Sequence, residues 1–169
     1  GDAAVPQLID ALKSIDTGFR ARVIRILSQT SRFAVPALVE ALSNPVENVR
    51  LGVKEALIEI GEPAIPYLMG ALSEGDEALN QVVMDILAAN GAEAVPALIT
   101  TLNHTDKKVQ NQGFEALVQI GEPAIPSLVA SLAEGDQREN VSEVLMAIGE
   151  PCIVPLIEAL DVSELNEPA

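Results

Sequence analysis

The sequence predicts an all-α protein built from stacked helical hairpins, and three observations support this fold class. Apolar residues recur at helical spacing in two alternating kinds of segment. Glycine and proline stand where the second kind ends and the first begins again. The first kind also repeats at a step of 30 residues, from residues 4–12 to 34–42, 64–72, 94–102 and 124–132.

The segment at 4–12 predicts the helix that opens each hairpin, which we call the first-unit helix. Pro6 fits its first turn, where the missing N–H leaves no bond within the helix unmade. A sixth copy begins at Cys152 after a step of 28 residues, with its proline moved one place to Pro155. One face of the helix is apolar at spacings i, i+3, i+4 and i+7, through Val5, Leu8, Ile9 and Leu12.

The second kind of segment predicts the returning helix of each hairpin, the second-unit helix. It is clearest at 49–61, and its relatives run over 79–91, 109–121 and, more loosely, 19–30 and 141–149. Its apolar stripe comprises Val49, Val53, Ala56, Leu57 and Ile60. A left-handed stop favours glycine just beyond such a stripe, and this position holds Gly61, Gly91, Gly121 and Gly149.

Single hairpins of this size bury too little apolar surface to fold alone, so neighbours must supply a continuous core. The chain therefore predicts one array of five hairpins plus a sixth leading helix over residues 1–160, with a polar tail at 161–169. Because the chain opens at a repeat boundary on apolar residues, we expect an excised module or a fragment of a longer array. The repeat boundaries fall at about 1–30, 31–60, 61–90, 91–120, 121–148 and, for a partial repeat, 149–160.

These alternating segments resemble the short HEAT-like repeats named after phycobilisome lyases. Residues 34–42 and 49–61 carry the resemblance most clearly, and it covers essentially the whole chain. It implies a right-handed α–α superhelix, an α-solenoid with second-unit helices on its concave side, and a binding protein more often than an enzyme. The family's arginine is present as Arg20 and Arg50 but becomes Asn80 and Gln110, so an arginine ladder between repeats should fade.

The charge balance argues against a general nucleic-acid binder, because 25 acids against 10 bases give a net charge of −15. Residues 1–54 hold seven bases and five acids, whereas the remainder holds three bases and 20 acids. Both solubility and a partner of matching charge gradient explain this distribution. No apolar run approaches the roughly 20 residues of a bilayer span, so no membrane insertion is expected. A single cysteine precludes an internal disulfide and favours a cytoplasmic location.

Residues that could carry catalysis or bind a metal are scarce. His104, the single histidine, lies in a predicted turn, and Cys152 takes the place of a small core alanine. No glycine-rich phosphate loop, nucleophile elbow or paired metal-ligand motif is present. We therefore expect no enzyme activity, no cofactor and no small-molecule substrate.

The best candidates for a binding site point away from the buried stripe of the second-unit helices. Their middle position is basic at Arg25 and acidic in each later repeat. Ordinary helix solvation and an acidic trough for a basic partner segment both explain this row. Ile24, Met84 and Phe114 share another position and are expected to pack between repeats. With the family geometry, the predicted concave face comprises Arg22, Arg25, Leu51, Glu55, Glu59, Gln81, Asp85, Asn111, Glu115, Gln119 and Glu143.

The function that these features favour is a non-catalytic scaffold that binds a protein or peptide, with a basic segment on the concave face. Two alternatives remain open. One is an auxiliary subunit of a multi-protein enzyme, such as a bilin-lyase-like complex that binds a chromophore-carrying protein. The other is a structural spacer within a larger protein.

Overall fold

The computed structural model describes residues 4–29, 34–72, 77–133 and 138–165, and all regular structure in these ranges is helical. Short 3-10 turns precede α5, α7, α9 and α11. The all-α prediction is therefore confirmed. The described helices are α1 (Val5–Ala11), α2 (Thr17–Gln29), α3 (Val35–Ala41), α4 (Glu47–Ile60), α5 (Ile65–Leu72), α6 (Glu77–Ala89), α7 (Val95–Thr101), α8 (Lys107–Ile120), α9 (Ile125–Ala133), α10 (Arg138–Ile148) and α11 (Ile153–Leu165).

The helices form two compact units, Gly1–Asn90 and Gly91–Ala169. In unit 1, α1 packs on α2, α3 on α4 and α5 on α6, which makes hairpins of one first-unit and one second-unit helix. First-unit helices also contact one another, as do second-unit helices, so the hairpins stack in two layers. Unit 2 repeats this arrangement, with α8 packed on α7, α10 on α9, and α11 added to the first-unit layer.

The core of each unit follows the predicted apolar stripes. In α4, Val49, Val53, Ala56 and Leu57 are fully buried, while Ile60 is half-buried. Removing such side chains from water is the main favourable term in stacking. The same positions recur through the chain, so the buried leucines of the second-unit helices include Leu27, Leu57, Leu87, Leu117 and Leu145.

Glycines end the second-unit helices, as predicted, but in a different backbone conformation from the expected one. Gly61 has φ 71° and ψ −137°, and Gly121 has φ 68° and ψ −130°. The positive φ is confirmed, whereas these ψ values lie outside the left-handed helical region, in territory that is nearly restricted to glycine. The Gly61 N–H closes α4 on the Leu57 carbonyl at 3.2 Å, and the Gly61 carbonyl accepts from Ala64 at 2.9 Å.

The last helix is longer than the predicted repeat. The sequence predicts a polar tail from residue 161, whereas α11 continues to Leu165. Residues 161–165 contain neither glycine nor proline, so nothing in their backbone chemistry stops the helix at residue 160. The rest of the predicted tail, 166–169, lies outside the described residues.

Candidate functional site

The predicted binding residues lie on the exposed side of the second-unit helices, which we call the second-unit face. Ten of the eleven residues are exposed, and Asp85 is half-buried. This pattern follows from helical geometry, because the positions alternate with the buried stripe around each helix. Exposure makes these side chains accessible to a partner, and their local contacts distinguish one unit from the other.

In unit 1 the second-unit face holds an ion pair between two successive hairpins. The Lys54 Nζ atom of α4 donates to Asp85 Oδ2 of α6 at 2.8 Å, and Gln81 Nε2 donates to Asp85 Oδ1 at 3.1 Å. Partial burial acts to raise the pKa of Asp85, but the hydrogen bonds from Lys54 and Gln81 and the Lys54 charge outweigh it. The net result is a pKa below the ordinary value.

Lys54 contributes to the candidate site, although its sequence position did not predict this. It stands at the position of Ile24, Met84 and Phe114, which were expected to pack between repeats. Ile24 and Met84 are indeed buried, while Phe114 is half-buried. Lys54 instead extends from this position toward the next hairpin, where its ammonium group neutralises Asp85. A lysine among apolar equivalents was the signal that could have revealed the pair.

In unit 2 the equivalent positions form an open groove between α8 and α10, of about 510 Å³. At the equivalent positions of unit 2, Phe114 stands in place of Lys54. Glu139 stands in place of Gln81, and Glu143 in place of Asp85. The groove brings together two predicted residues, Asn111 and Glu143, with six that were not predicted to bind. Its lining includes Lys107, Asn111, Phe114, Glu139 and Glu143.

The two glutamates of this groove lie one helical turn apart on α10, at positions 139 and 143. Neither has an ion-pair partner within the described part of the chain. Lys107, the basic residue of the lining, donates to Gln110 Oε1 at 2.7 Å. Phe114 thus replaces the lysine of unit 1, and the groove presents two carboxylates without an ion pair in these ranges beside an aromatic ring.

Asn140 fixes one wall of the groove. Its Nδ2 atom donates to the Leu102 carbonyl at 3.0 Å and to Asn103 Oδ1 at 2.7 Å, which ties α10 to the end of α7. The same position in unit 1 is Gly52, which packs against Leu12 of the preceding hairpin. In the first repeat this position is Arg22, which is exposed.

The repeated arginine bonds the turn of its own hairpin. Arg20 donates to the Ser14 carbonyl at 2.7 Å and Arg50 to the Asn44 carbonyl at 2.7 Å. Arg138 Nε reaches the Leu132 carbonyl at 2.9 Å, again six residues earlier. The sequence predicts arginine contacts between successive repeats, whereas these bonds stay within one hairpin. After Asn80 and Gln110, the fifth repeat has arginine at this position again. The 28-residue step hides Arg138 from a comparison made at a spacing of 30.

His104 has a structural contact that explains its position. Its Nδ1 atom accepts a hydrogen bond from the Asp106 backbone N–H at 3.1 Å. In earlier repeats the same turn acceptor is Ser14 Oγ or Asn44 Oδ1. His104 therefore serves as a turn residue, as its sequence context predicts.

The remaining chemistry of the described residues is limited. Cys152 is buried, as expected of a small core residue, and burial raises the pKa of its thiol. Across the described ranges, no three or more His, Cys, Asp and Glu side chains gather as metal ligands would. None of the helices in those ranges combines the length and apolar character needed to cross a bilayer.

Comparison with known proteins identifies the repeat. The model of HEAT repeats matches residues 5–82 and 70–149. The chain belongs to the HEAT-repeat family. It is thus a helical-repeat scaffold, of a kind that generally takes part in protein interactions.

Two similar solved structures are crystal structures of engineered proteins from the Northeast Structural Genomics Consortium, each 21% identical in sequence. The first match covers 94% of this chain and 86% of the engineered one, with a TM-score of 0.35. The second covers 92% of this chain and 51% of the other, with a TM-score of 0.37, so the HEAT-repeat chain spans about half of that protein. No curated protein matches the sequence.

Proposed function

We propose that this HEAT-repeat protein is a non-catalytic scaffold that holds a basic protein or peptide segment on its second-unit face. The α8–α10 groove is its principal contact. The observation that carries the proposal is the equivalence between Lys54–Asp85 in unit 1 and Phe114–Glu143 in unit 2. Where unit 1 pairs its carboxylate with Lys54, Glu143 of unit 2 has no ion-pair partner among the described residues.

The groove has the chemistry to bind a lysine or arginine side chain from a partner. Glu139 and Glu143 can both accept charge-assisted hydrogen bonds, which are stronger than neutral ones. Like charges one turn apart on a helix repel each other by a few tenths of a kcal/mol, and a cation between them relieves this repulsion. The half-buried Phe114 ring adds a surface for cation–π contact.

The rest of the second-unit face extends this contact in the proposal. In unit 2, the exposed acid Glu115 can meet a further basic residue of the same segment. In unit 1, the exposed side chains of Glu55, Glu59 and Arg25 are each accessible to charged residues of a partner. Electrostatic matching of this kind sets register and association rate more than affinity. A concave arrangement of this face remains part of the proposal.

The test compares the native chain with Phe114→Lys in affinity capture from the native source. This substitution rebuilds the lysine–carboxylate pair of unit 1, so an internal ammonium takes the place of the partner's cation. We expect proteins retained by the native chain to be lost by this variant. The identified partner should then bind at least tenfold more weakly in calorimetry.

A matched control separates the groove from general acidity. Glu93→Lys with Glu122→Lys alters two exposed acids in the 3-10 turns of unit 2, outside the groove. This double variant should retain the partner, and Glu139→Lys with Glu143→Lys should lose it. If all variants retain the same proteins, the groove is not the site. If even the native chain retains nothing specific, the spacer alternative is favoured.

A further inference from the structure

The first-unit helix α5 departs from its repeat at two exposed positions. Tyr67 is the single tyrosine of the chain and is 42% exposed, whereas all equivalent positions hold smaller residues. Gly70 follows three residues later, and residues at this spacing are neighbours on one side of a helix. The two departures therefore change one patch of surface. The positions equivalent to Gly70 hold Asp10, Glu40, Thr100, Ala130 and Glu158.

Packing within the chain does not explain the glycine in α5. At Gly52, an added Cβ would lie 2.8 Å from Leu12 Cδ2, so the close stacking of that hairpin requires glycine. At Gly70, an added Cβ would meet no atom within 4 Å. Glycine inside a helix lowers its stability relative to alanine. Gly70 thus destabilises α5 and leaves open space in which a ligand can approach the helix backbone closely.

This open space belongs to a groove of about 550 Å³ between α3 and α5, which we call the α3–α5 groove. Its size is within the range of roughly 300–1,000 Å³ that is usual for binding pockets. The polar groups of its lining are the Glu40 carboxylate, the Ser43 hydroxyl and the Tyr67 hydroxyl. The apolar part of the lining comprises Pro36, Val39, Gly70, Ala71 and Leu79.

The charge of the α3–α5 groove favours a cation. Glu40 is an exposed acid that forms no ion pair within the described ranges. Lys13 lines an adjoining groove together with Glu40, but its ammonium group pairs with Asp10. None of the described residues that line the α3–α5 groove is basic. A ligand that carries a positive charge would therefore supply what Glu40 lacks.

We infer that the α3–α5 groove binds an extended segment of a partner protein, through an aromatic side chain and a basic side chain two residues apart. The aromatic side chain would lie over Gly70 against the Tyr67 ring, because aromatic pairs gain from offset-stacked or edge-to-face contact. The basic side chain would form a charge-assisted hydrogen bond with Glu40. This site is in the first-unit layer and does not rest on the proposed function.

The spacing of the two side chains follows from the positions of their contacts. Glu40 and Gly70 occupy equivalent positions on α3 and α5, which are neighbours in the first-unit layer. Packed helices lie about 8–10 Å apart. In an extended segment, side chains two residues apart point the same way and are separated by roughly 7 Å. Flexible side chains can span the small remaining difference.

The position of the α3–α5 groove and the sequence favour a partner protein as the source of the segment. Helix α3 already has first-unit neighbours on both sides, α1 and α5, so a further hairpin stacked in line would not cover this groove. None of the four aromatic residues in the sequence has a basic residue two places away in either direction. A second copy of these 169 residues therefore does not supply the motif either.

The probe is the blocked peptide acetyl-Gly-Trp-Ser-Arg-Gly-amide. Because the chain contains no tryptophan, the tryptophan emission of the peptide reports binding without background. We expect a saturable change in this emission when the full chain is titrated into the peptide. A second peptide with glutamate in place of arginine should bind at least tenfold more weakly.

Gly70→Ala is the most informative variant. It should raise the melting temperature, because alanine favours the helix, and weaken peptide binding at least fivefold, because the added methyl group enters the groove. Opposite effects on stability and binding are not expected of a purely structural residue. The matched control is Gly18→Ala, at another exposed helical glycine that lies outside the lining. This control should change binding less than twofold.

Two further variants test the aromatic and the charged contacts. Tyr67→Ala and Glu40→Gln should each weaken peptide binding at least fivefold. Glu47→Gln removes an exposed acid of α4 outside the lining and should change binding less than twofold. Circular dichroism should show the same helicity for all three variants.

Four results would overturn the inference. They are no saturable binding to the native chain, unchanged binding by Gly70→Ala, equal binding of the arginine and glutamate peptides, and loss of binding in Phe114→Lys but not in Tyr67→Ala. The last result would assign the peptide to the α8–α10 groove. Each of them leaves the proposed function standing, because that function is tested by retention of native partners at the other groove.

Discussion

The two units share one repeat but use its exposed positions differently. Unit 1 holds 12 acids and seven bases, whereas unit 2 holds 13 acids and three bases. At equivalent positions, unit 1 pairs Lys54 with Asp85 and unit 2 leaves Glu143 beside Phe114. The contrast shows that stacking depends on the buried stripe, which leaves the electrostatics of the second-unit face free to change from one hairpin to the next.

The cores of the two units also differ at one pair of equivalent positions. Unit 1 has Ala41 on a first-unit helix and a buried Val53 on the second-unit helix. The first hairpin of unit 2 has Thr101 and Gly113 at these positions, whereas its second hairpin keeps a buried valine, Val141. Thr101 and Gly113 are both buried, and the Thr101 hydroxyl donates to the Leu98 carbonyl at 2.6 Å. A side chain added at Gly113 would collide with Thr101, so the larger residue has moved from one helix to its partner.

This exchange gives the largest expected effect. Gly113→Val should lower the free energy of unfolding by about 3 kcal/mol, because overpacking a rigid core forces side chains and backbone to shift. Adding Thr101→Ala should recover most of the loss, since the pair then matches Ala41 and Val53 of unit 1. Urea denaturation of the native chain, the two single variants and the double variant measures the coupling. Additive losses would show that the two positions are not in contact.

A second experiment tests the glycines that end the second-unit helices, where the same substitution should have the same effect on stability in both units. Gly61→Val and Gly121→Val should each destabilise the protein by about 2 kcal/mol, because both glycines have a positive φ that a β-branched residue adopts only with strain. Space is not the cause at Gly121, where an added Cβ would lie 3.7 Å from the nearest atom, the Val118 carbonyl oxygen. The loss of stability in each variant is measured from its thermal melt.

Gly70 provides the matched control for these glycines. It lies within α5, and an added Cβ would meet no atom within 4 Å. Gly70→Ala should therefore stabilise the protein by up to about 1 kcal/mol, because alanine favours the helix. Unchanged melting of Gly61→Val or Gly121→Val would contradict the backbone assignment. Clearly unequal losses would show that the two helix ends are not equivalent.

The repeated features of the fold could be predicted from the sequence because each is encoded several times. The stripe of Val53 and Leu57 and the stop at Gly61 follow from helical spacing and backbone chemistry, and the structure confirms them. The binding surface is less predictable, because its contacts join residues from different repeats. The Lys54–Asp85 pair spans 31 residues, and the 28-residue step of the fifth repeat obscures Arg138 and Glu139.

The smallest expected effect tests the electrostatic difference between the hairpins. Asp85→Asn should cost about 0.5 kcal/mol at pH 7, the usual magnitude for a partly exposed ion pair. Because the folded protein lowers the pKa of Asp85, its carboxylate stabilises the fold above the ordinary pKa of 3.8. That stabilisation is lost as the pH falls through the lowered value. The difference in melting temperature between wild type and Asp85→Asn should thus shrink when the pH is lowered below 3.8.

Glu115→Gln is the matched control, at the equivalent position one repeat later. It removes an exposed acid and should not measurably change the melting temperature at pH 7 or below pH 3.8. Equal effects of the two substitutions would show that the Lys54 contact does not distinguish Asp85 from an ordinary surface acid.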